Sequence, residues 1–243
     1  MKAVEREIIR WGKLLFERRL ISGWGGNISC RVGKDRLLIT GQHAPLGFLA
    51  PEDLVAIDLS GRPIKKNQHP SSETPMHLAV YRGAEADAII HAHPPMALAF
   101  SLSHQSFVPL SFEEKYTIGE VPVIPQETPT VTDPTRVVEE LRLRPIVILQ
   151  GHGTVAIGHD LKEAFLLTDL LEEAVHCQLI RDQSRGPVEA GPERREKVSE
   201  SKPDKKMAAR PLFSREHMEA LVASANGDEI GRASCRERVY VLV

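Results

Sequence analysis

The apolar run Ala88-Ile89-Ile90 leads directly into His91-Ala92-His93 and is stopped by Pro94-Pro95. That composition and those bounds predict a buried β-strand that ends where the prolines begin. A chain carrying such a strand must wrap it in further layers. Two more inner strands are expected at Ile146-Val147-Ile148-Leu149 and Thr154-Val155-Ala156-Ile157, joined through Gly151-His152-Gly153. Shorter β-like runs precede them at Ile28–Val32, Leu37–Thr40 and Leu54–Asp58. The last of these enters a Ser60-Gly61 turn and returns through Pro63-Ile64 as a hairpin.

Helices punctuate the strands. Val4, Ile8, Trp11 and Leu15 share one face of an expected amphipathic helix over residues 4–20. A second helix runs from Ser72, as N-cap, to about Arg82, with Pro75 tolerated in its first turn. A third begins at Asp133-Pro134 and reaches about Leu143. A long one begins at Asp160, with Glu163 completing a capping box, and reaches about Arg181. Strands and helices mix without regular alternation, and hairpin signals are present. That favours a mixed sheet flanked by helices over a doubly wound parallel sheet.

The 243 residues suffice for one well-buried domain but not for two large ones. A net charge of -2 provides no basic field for nucleic acid. No apolar run approaches the roughly 20 residues that cross a bilayer, and the N-terminus lacks the apolar core of a secretory signal. The three cysteines, Cys30, Cys177 and Cys235, have neither metal-knuckle nor disulfide spacing, so a reducing cytoplasm is expected. Residues 182–210 are rich in charge, Pro, Ser and Gly and read as a flexible linker, which leaves 1–181 as the main domain. Residues 211–226 regain a short helical pattern with Ser214 as cap. Residues 227–243 back-translate, from Glu229 to Val239, into a common sequencing adapter, and are set aside as an artefactual tail.

Several residues could carry chemistry. His91 and His93 lie two apart on a strand and so project from one face. His152 follows a second buried strand between two glycines. Three imidazoles with an open fourth position suit a catalytic zinc ion. Taken singly, His-x-His on a strand is more often structural, and His77 and His176 read as ordinary helix residues. Ser71, Ser72 and Glu73 stand at a helix N-terminus, where free N–H groups favour an anion, although taken alone a plain cap with an acidic first turn explains them better. Gly25-Gly26-Asn27 and Thr40-Gly41 offer close backbone approach, or are merely tight turns.

Taken in order, Gly23-Trp24-Gly25-Gly26-Asn27-Ile28-Ser29, Thr40-Gly41, Pro70-Ser71-Ser72-Glu73, His91-Ala92-His93 and Gly151-His152-Gly153 resemble the class II aldolase/adducin family over residues 4–181. The resemblance implies an α/β/α sandwich around a mixed sheet, assembled as a homotetramer with active sites between subunits. It implies a zinc lyase that splits a ketose 1-phosphate of the L-fuculose-1-phosphate kind into dihydroxyacetone phosphate and an aldehyde. His91, His93 and His152 match the metal ligands. Glu73 matches the acid/base. Gly26, Asn27, Thr40, Gly41, Ser71 and Ser72 match the residues that hold the substrate phosphate. Zinc would stabilise the charge left beside the carbonyl, and a nearby carboxylate would move a proton on or off that carbon. The family's tyrosine from a neighbouring subunit falls on Phe112, with Tyr116 nearby, and its second, C-terminal tyrosine has no match before residue 227. A sugar-phosphate 4-epimerase and a methylthioribulose-1-phosphate-type dehydratase share the scaffold. A non-catalytic adducin-like module would lack the metal histidines, which are present here. Lys205-Lys206 and Arg194-Arg195 are interleaved with acids and read as solvated linker rather than as a nucleic-acid patch.

Overall fold

The computed structural model describes residues 2–184. The expected helix over 211–226, the tail over 227–243 and all but the first three residues of the expected linker lie outside the described residues. In chain order the elements are α1 (Lys2–Glu17), β1 (Asn27–Arg31), β2 (Arg36–Thr40), β3 (Leu54–Asp58), α2 (Thr74–Gly83), β4 (Ala88–Ala92) and α3 (Pro95–Ser101). There follow β5 (Ser106–Phe107), α4 (Phe112–Thr117), β6 (Val121–Ile124), α5 (Thr135–Leu141), β7 (Ile146–Leu149), β8 (Gly153–Gly158) and α6 (Leu161–Ser184). None of these helices is long and apolar enough to cross a membrane.

The strands form one eight-stranded sheet in the order β3-β2-β1-β4-β8-β7-β6-β5. β6 and β7 pair in parallel and the other neighbours are antiparallel, so the sheet is mixed, as expected. β4 lies in its middle, and all five of its residues are buried. Successive side chains of a strand face opposite sides, and here each side has its own core. Ile8, Trp11 and Leu15 of α1 and Phe165, Leu171 and Val175 of α6 pack with Ile28, Ile90, Ile148 and Ala156 on one face. Met76, Val80 and Tyr81 of α2 and Val137 and Leu141 of α5 pack with Leu37, Ile57, Ile89, Val147 and Val155 on the other. Each fully buried Ile, Leu or Val of these layers contributes about 1.5–3 kcal/mol. The result is an α/β/α sandwich.

Local differences from expectation have local causes. Glu73, not Ser72, occupies the cap position of α2 and makes no side-chain cap bond. The segment before it is tied down: Gly41 bridges Pro70, and the Ser71 N–H donates to Thr40 O at 3.0 Å. The chain is therefore held in place up to Ser71 and turns through Ser72 and Glu73, where the Thr74 N–H donates to Ser71 O at 3.0 Å, before the helix begins. At α5 the cap is Pro134, while Asp133 Oδ1 accepts the Thr135 N–H at 3.0 Å. Asp160 Oδ1 accepts the Glu163 N–H as expected, but the Glu163 carboxylate reaches back to the N–H of His159. The return through Pro63-Ile64 is a single bridge to Ile57 rather than a strand, in keeping with a proline that has no N–H to give. Between Pro95 and Asp133, where no element was expected, lie α3, β5, α4 and β6. α3 depends on a distant partner, since the Glu172 carboxylate of α6 accepts the N–H groups of Met96 and Ala97 at 2.9 Å each.

Candidate active site

Strand parity builds the centre of the site. On β4, Ala88, Ile90 and Ala92 face α1 and α6, so Ile89 and His91 face α2. His93 follows at the strand end. β1 pairs antiparallel with β4, placing Asn27 directly opposite His91 and Ser29 opposite Ile89. On the other side of β4, β8 brings up the Gly151–Gly153 turn, and His152 closes the group. His91, His93 and His152 each offer a ligand atom, and these atoms lie within 4.8 Å of one another.

The donor set fits a divalent ion. His91 Nδ1–H donates to Thr154 O at 2.9 Å, which leaves Nε2 bare and aimed inward. His93 Nε2 stands 3.0 Å from it, close to the ~3.3 Å between nitrogens ~2.05 Å from a tetrahedral zinc. Among the described residues, the buried His152 Nδ1 has no hydrogen-bond partner. Burial, helped by the neighbouring imidazoles, pushes His91 well below the usual histidine range. Burial and the nearby His152 put His93 at about 4, and burial lowers His152 as well. All three are therefore neutral near pH 7, the state that binds metal.

Two glycines make room. Gly26 holds φ +79°, and a Cβ there would lie 2.7 Å from the His91 carbonyl oxygen. A Cβ on Gly25 would press on His93 Nδ1 at 2.7 Å. The loop between α1 and β1 thus lies flat against the histidine strand because it has no side chains there.

A cavity of ≈ 150 Å³ opens over the histidines. Its walls include Gly26, Asn27, Gly41, Ser71, Ser72, Glu73 and the three histidines, which gathers nearly all of the expected site residues. Thr40 is the exception: it is buried behind the wall, where its hydroxyl accepts the Ile28 N–H at 3.2 Å. Glu73 is 5% exposed. Burial raises its carboxyl above the usual range, partly countered by the Val131 N–H, which reaches both oxygens at 3.3 and 3.4 Å. The arrangement sets a buried carboxyl, a metal-ready cluster and a wall of hydroxyl, amide and backbone donors around one small space. Phe112 and Tyr116 are 92% and 77% exposed on α4 and do not line this cavity.

Sequence reasoning missed some of the wall. Trp24, Gln42, His43, Ala44, Pro129 and Thr130 also line it. They sit on loops with no periodic pattern, and only folding brings them there. His77 was read as an ordinary helix residue; it is instead fully buried behind Asn27 and bonded to it. Its spacing of four from Tyr81 and four from Glu73 was the available signal, since it puts all three on one side of α2.

The family described as Class II Aldolase and Adducin N-terminal domain matches residues 6–179. An L-fuculose phosphate aldolase of Methanococcus maripaludis is 31% identical over 175 residues, covering 72% of this chain and 95% of that one. A 3-oxo-tetronate 4-phosphate decarboxylase of Haemophilus influenzae is 32% identical over 177 residues, covering 68% of this chain and 82% of the other. The crystal structure of L-fuculose-1-phosphate aldolase from Thermus thermophilus superposes with a TM-score of 0.71 at 33% identity, covering 79% of this chain and all of that one. The chain belongs to the class II aldolase and adducin family and is an enzyme of the class II aldolase kind, resembling L-fuculose-phosphate aldolase.

Proposed function

We propose that the protein is a zinc-dependent lyase that cleaves a ketose 1-phosphate, of the L-fuculose 1-phosphate kind, into dihydroxyacetone phosphate and an aldehyde. The observation that carries this reading is the meeting of His91, His93, His152 and Glu73 around a single donor-lined cavity. The three imidazoles would hold the ion, one per subunit. When bound, it draws charge from the substrate carbonyl and so eases formation of negative charge on the adjacent carbon. Asn27, Ser71, Ser72 and the backbone of Gly26 and Gly41 bind the phosphate, which fixes the scissile bond beneath Glu73. Thr40 serves that site from behind, by holding the start of β1. Glu73, buried at the cavity wall with its carboxyl raised above the usual range, is the group that moves a proton on or off the carbon from which the aldehyde departs. The enzyme works as a homotetramer in the cytoplasm, with its sites between subunits.

A second reading shares this machinery. Loss of carbon dioxide from a 3-oxo acid phosphate also leaves negative charge beside a carbonyl, and the Haemophilus relative is named for such a reaction. A panel of phosphorylated ketoses and 3-oxo acids, assayed with and without chelator and read by product mass, tests both. Splitting of the carbon chain supports the lyase. Loss of carbon dioxide moves the assignment to the second reading, loss of water to a dehydratase, and conserved mass to an epimerase. Activity that persists after metal removal overturns the zinc role.

A further inference from the structure

We propose that His77 is a positioning residue, which turns the Asn27 side chain so that its amide N–H2 group, rather than its carbonyl, faces the cavity. This rests on the reading of that wall as the substrate's anion site.

The elements place four polar side chains in a row between the sheet and α2. Asn27 and Ser29 are two apart on β1 and face α2, and His77 and Tyr81 are one turn apart on α2 and face β1. All four are buried. Tyr81 Oη is 2.9 Å from Ser29 Oγ, Ser29 Oγ is 2.7 Å from His77 Nδ1, and His77 Nε2 is 2.5 Å from Asn27 Oδ1. The far end is anchored by Arg31, which stacks over the Tyr81 ring at 4.8 Å and donates to Tyr81 O and Ala86 O.

The direction of the row follows from where its protons can go. Among the described residues, Ser29 Oγ is the hydrogen-bond partner of the Tyr81 hydroxyl, so the Tyr81 proton goes to Ser29. The Ser29 proton then goes to His77 Nδ1. A neutral imidazole bonded in this way carries its own proton on Nε2 and gives it to Asn27 Oδ1. Burial does keep His77 neutral, at about 3. Asn27 is left with two N–H donors to present to the cavity that it lines beside Gly26 and Ser71. The opposite direction would strand the Tyr81 proton in a side chain that is 5% exposed, at about 1–3 kcal/mol for an unmet buried polar group. Donors aimed in advance need no reordering when an anion arrives. An amide free to flip would offer its carbonyl half the time.

Two measurements on the full-length, metal-loaded protein test this. Neutron diffraction should find deuterium on His77 Nε2 and the deuterated Asn27 amide turned to the cavity. Deuterium on Nδ1, with Asn27 Oδ1 facing the cavity, would overturn the proposal. Inorganic phosphate, titrated calorimetrically, should bind about tenfold more weakly to His77→Phe and to Asn27→Ala. The double variant should be no weaker than Asn27→Ala alone, because His77 acts only through Asn27. His77→Gln, which can still donate to Asn27, should recover most of the affinity. Additive losses in the double variant, or wild-type affinity in a folded His77→Phe, would sink the idea. If the wild-type protein takes up no phosphate, the anion reading of the cavity fails, and the neutron result still decides the direction of the row.

Discussion

The cavity has two unlike halves. The metal half is anchored in the middle of the sheet, where pairing on both sides of β4 fixes His91, while His93 follows the strand end and His152 sits in the turn that leads into β8. The anion half is assembled mainly from loops, namely Gly25–Gly26, Gly41–Ala44, Ser71–Ser72 and Pro129–Thr130, with Asn27 at the start of β1 and Ser71 tied to the end of β2 through Thr40 O. Geometry for an ion must be right to a few tenths of an ångström, and β-pairing supplies that. A phosphate is larger and takes hydrogen bonds from many directions, so loops suffice, provided that each donor is aimed. Glu73 stands at the seam, where the Pro70–Ser72 loop becomes α2.

If the halves are separate in this way, damage to one should leave the other intact. His93→Ala should abolish bound metal, read by elemental analysis, and take turnover to background while phosphate binding survives. Metal retained at full stoichiometry would break the division. Glu73→Gln should keep both metal and phosphate and lower kcat about 10²–10⁴-fold, the range for lost acid–base catalysis. A loss confined to KM would make Glu73 a binding group instead.

His77 offers a test through pH. It is neutral when folded, with a pKa of about 3, whereas the unfolded chain protonates it at the ordinary 6.5. The unfolded state therefore binds more protons between those values, and stability falls as pH drops below 6.5 while staying flat above it. By pH 5 the loss from this residue is about 2 kcal/mol, or about thirtyfold in the unfolding constant. Urea melts of metal-free protein at pH 7 and pH 5 should show that increment in the wild type and lack it in His77→Gln. An equal acid loss in both would separate His77 from the effect. The smallest change is expected from Ser72→Ala in the loop half. It should raise KM for a phosphorylated substrate by about tenfold, as for a lost hydrogen bond to a charged group, with metal content unchanged.

Much of the metal half could be read from the chain. His91-Ala92-His93 in an apolar run closed by prolines can only put two imidazoles on one face of a strand, since side chains alternate with period two. Gly151-His152-Gly153 between two apolar runs similarly announces a turn at a sheet end. The anion half was legible only as motifs in order, and Thr40 shows the limit: its hydroxyl accepts the Ile28 N–H behind the cavity wall, a contact that no motif announces. Residues 95–132 were unread for mixed reasons. Ser111 and Glu114 do have capping-box spacing, and the structure uses it at α4, so that signal was present. The cap of α3 is a carboxylate some 75 residues away, which no local pattern reports.

By itself, the sequence determined the layers, the central strand, the histidine pair on one face and the placement of glycines where the chain must press close, because these follow from local periodicity and steric allowance. Only the tertiary structure decided that β1 and β8 flank β4 and bring Asn27 and His152 to it, that Glu73 is buried against Val131, and that His77 stands behind Asn27. Those are meetings between residues distant along the chain, set by strand order and by burial that removes every partner except the one opposite. A histidine on a helix looks the same in a sequence whether it faces water or a buried amide. Its chemistry is settled by what the fold packs against it.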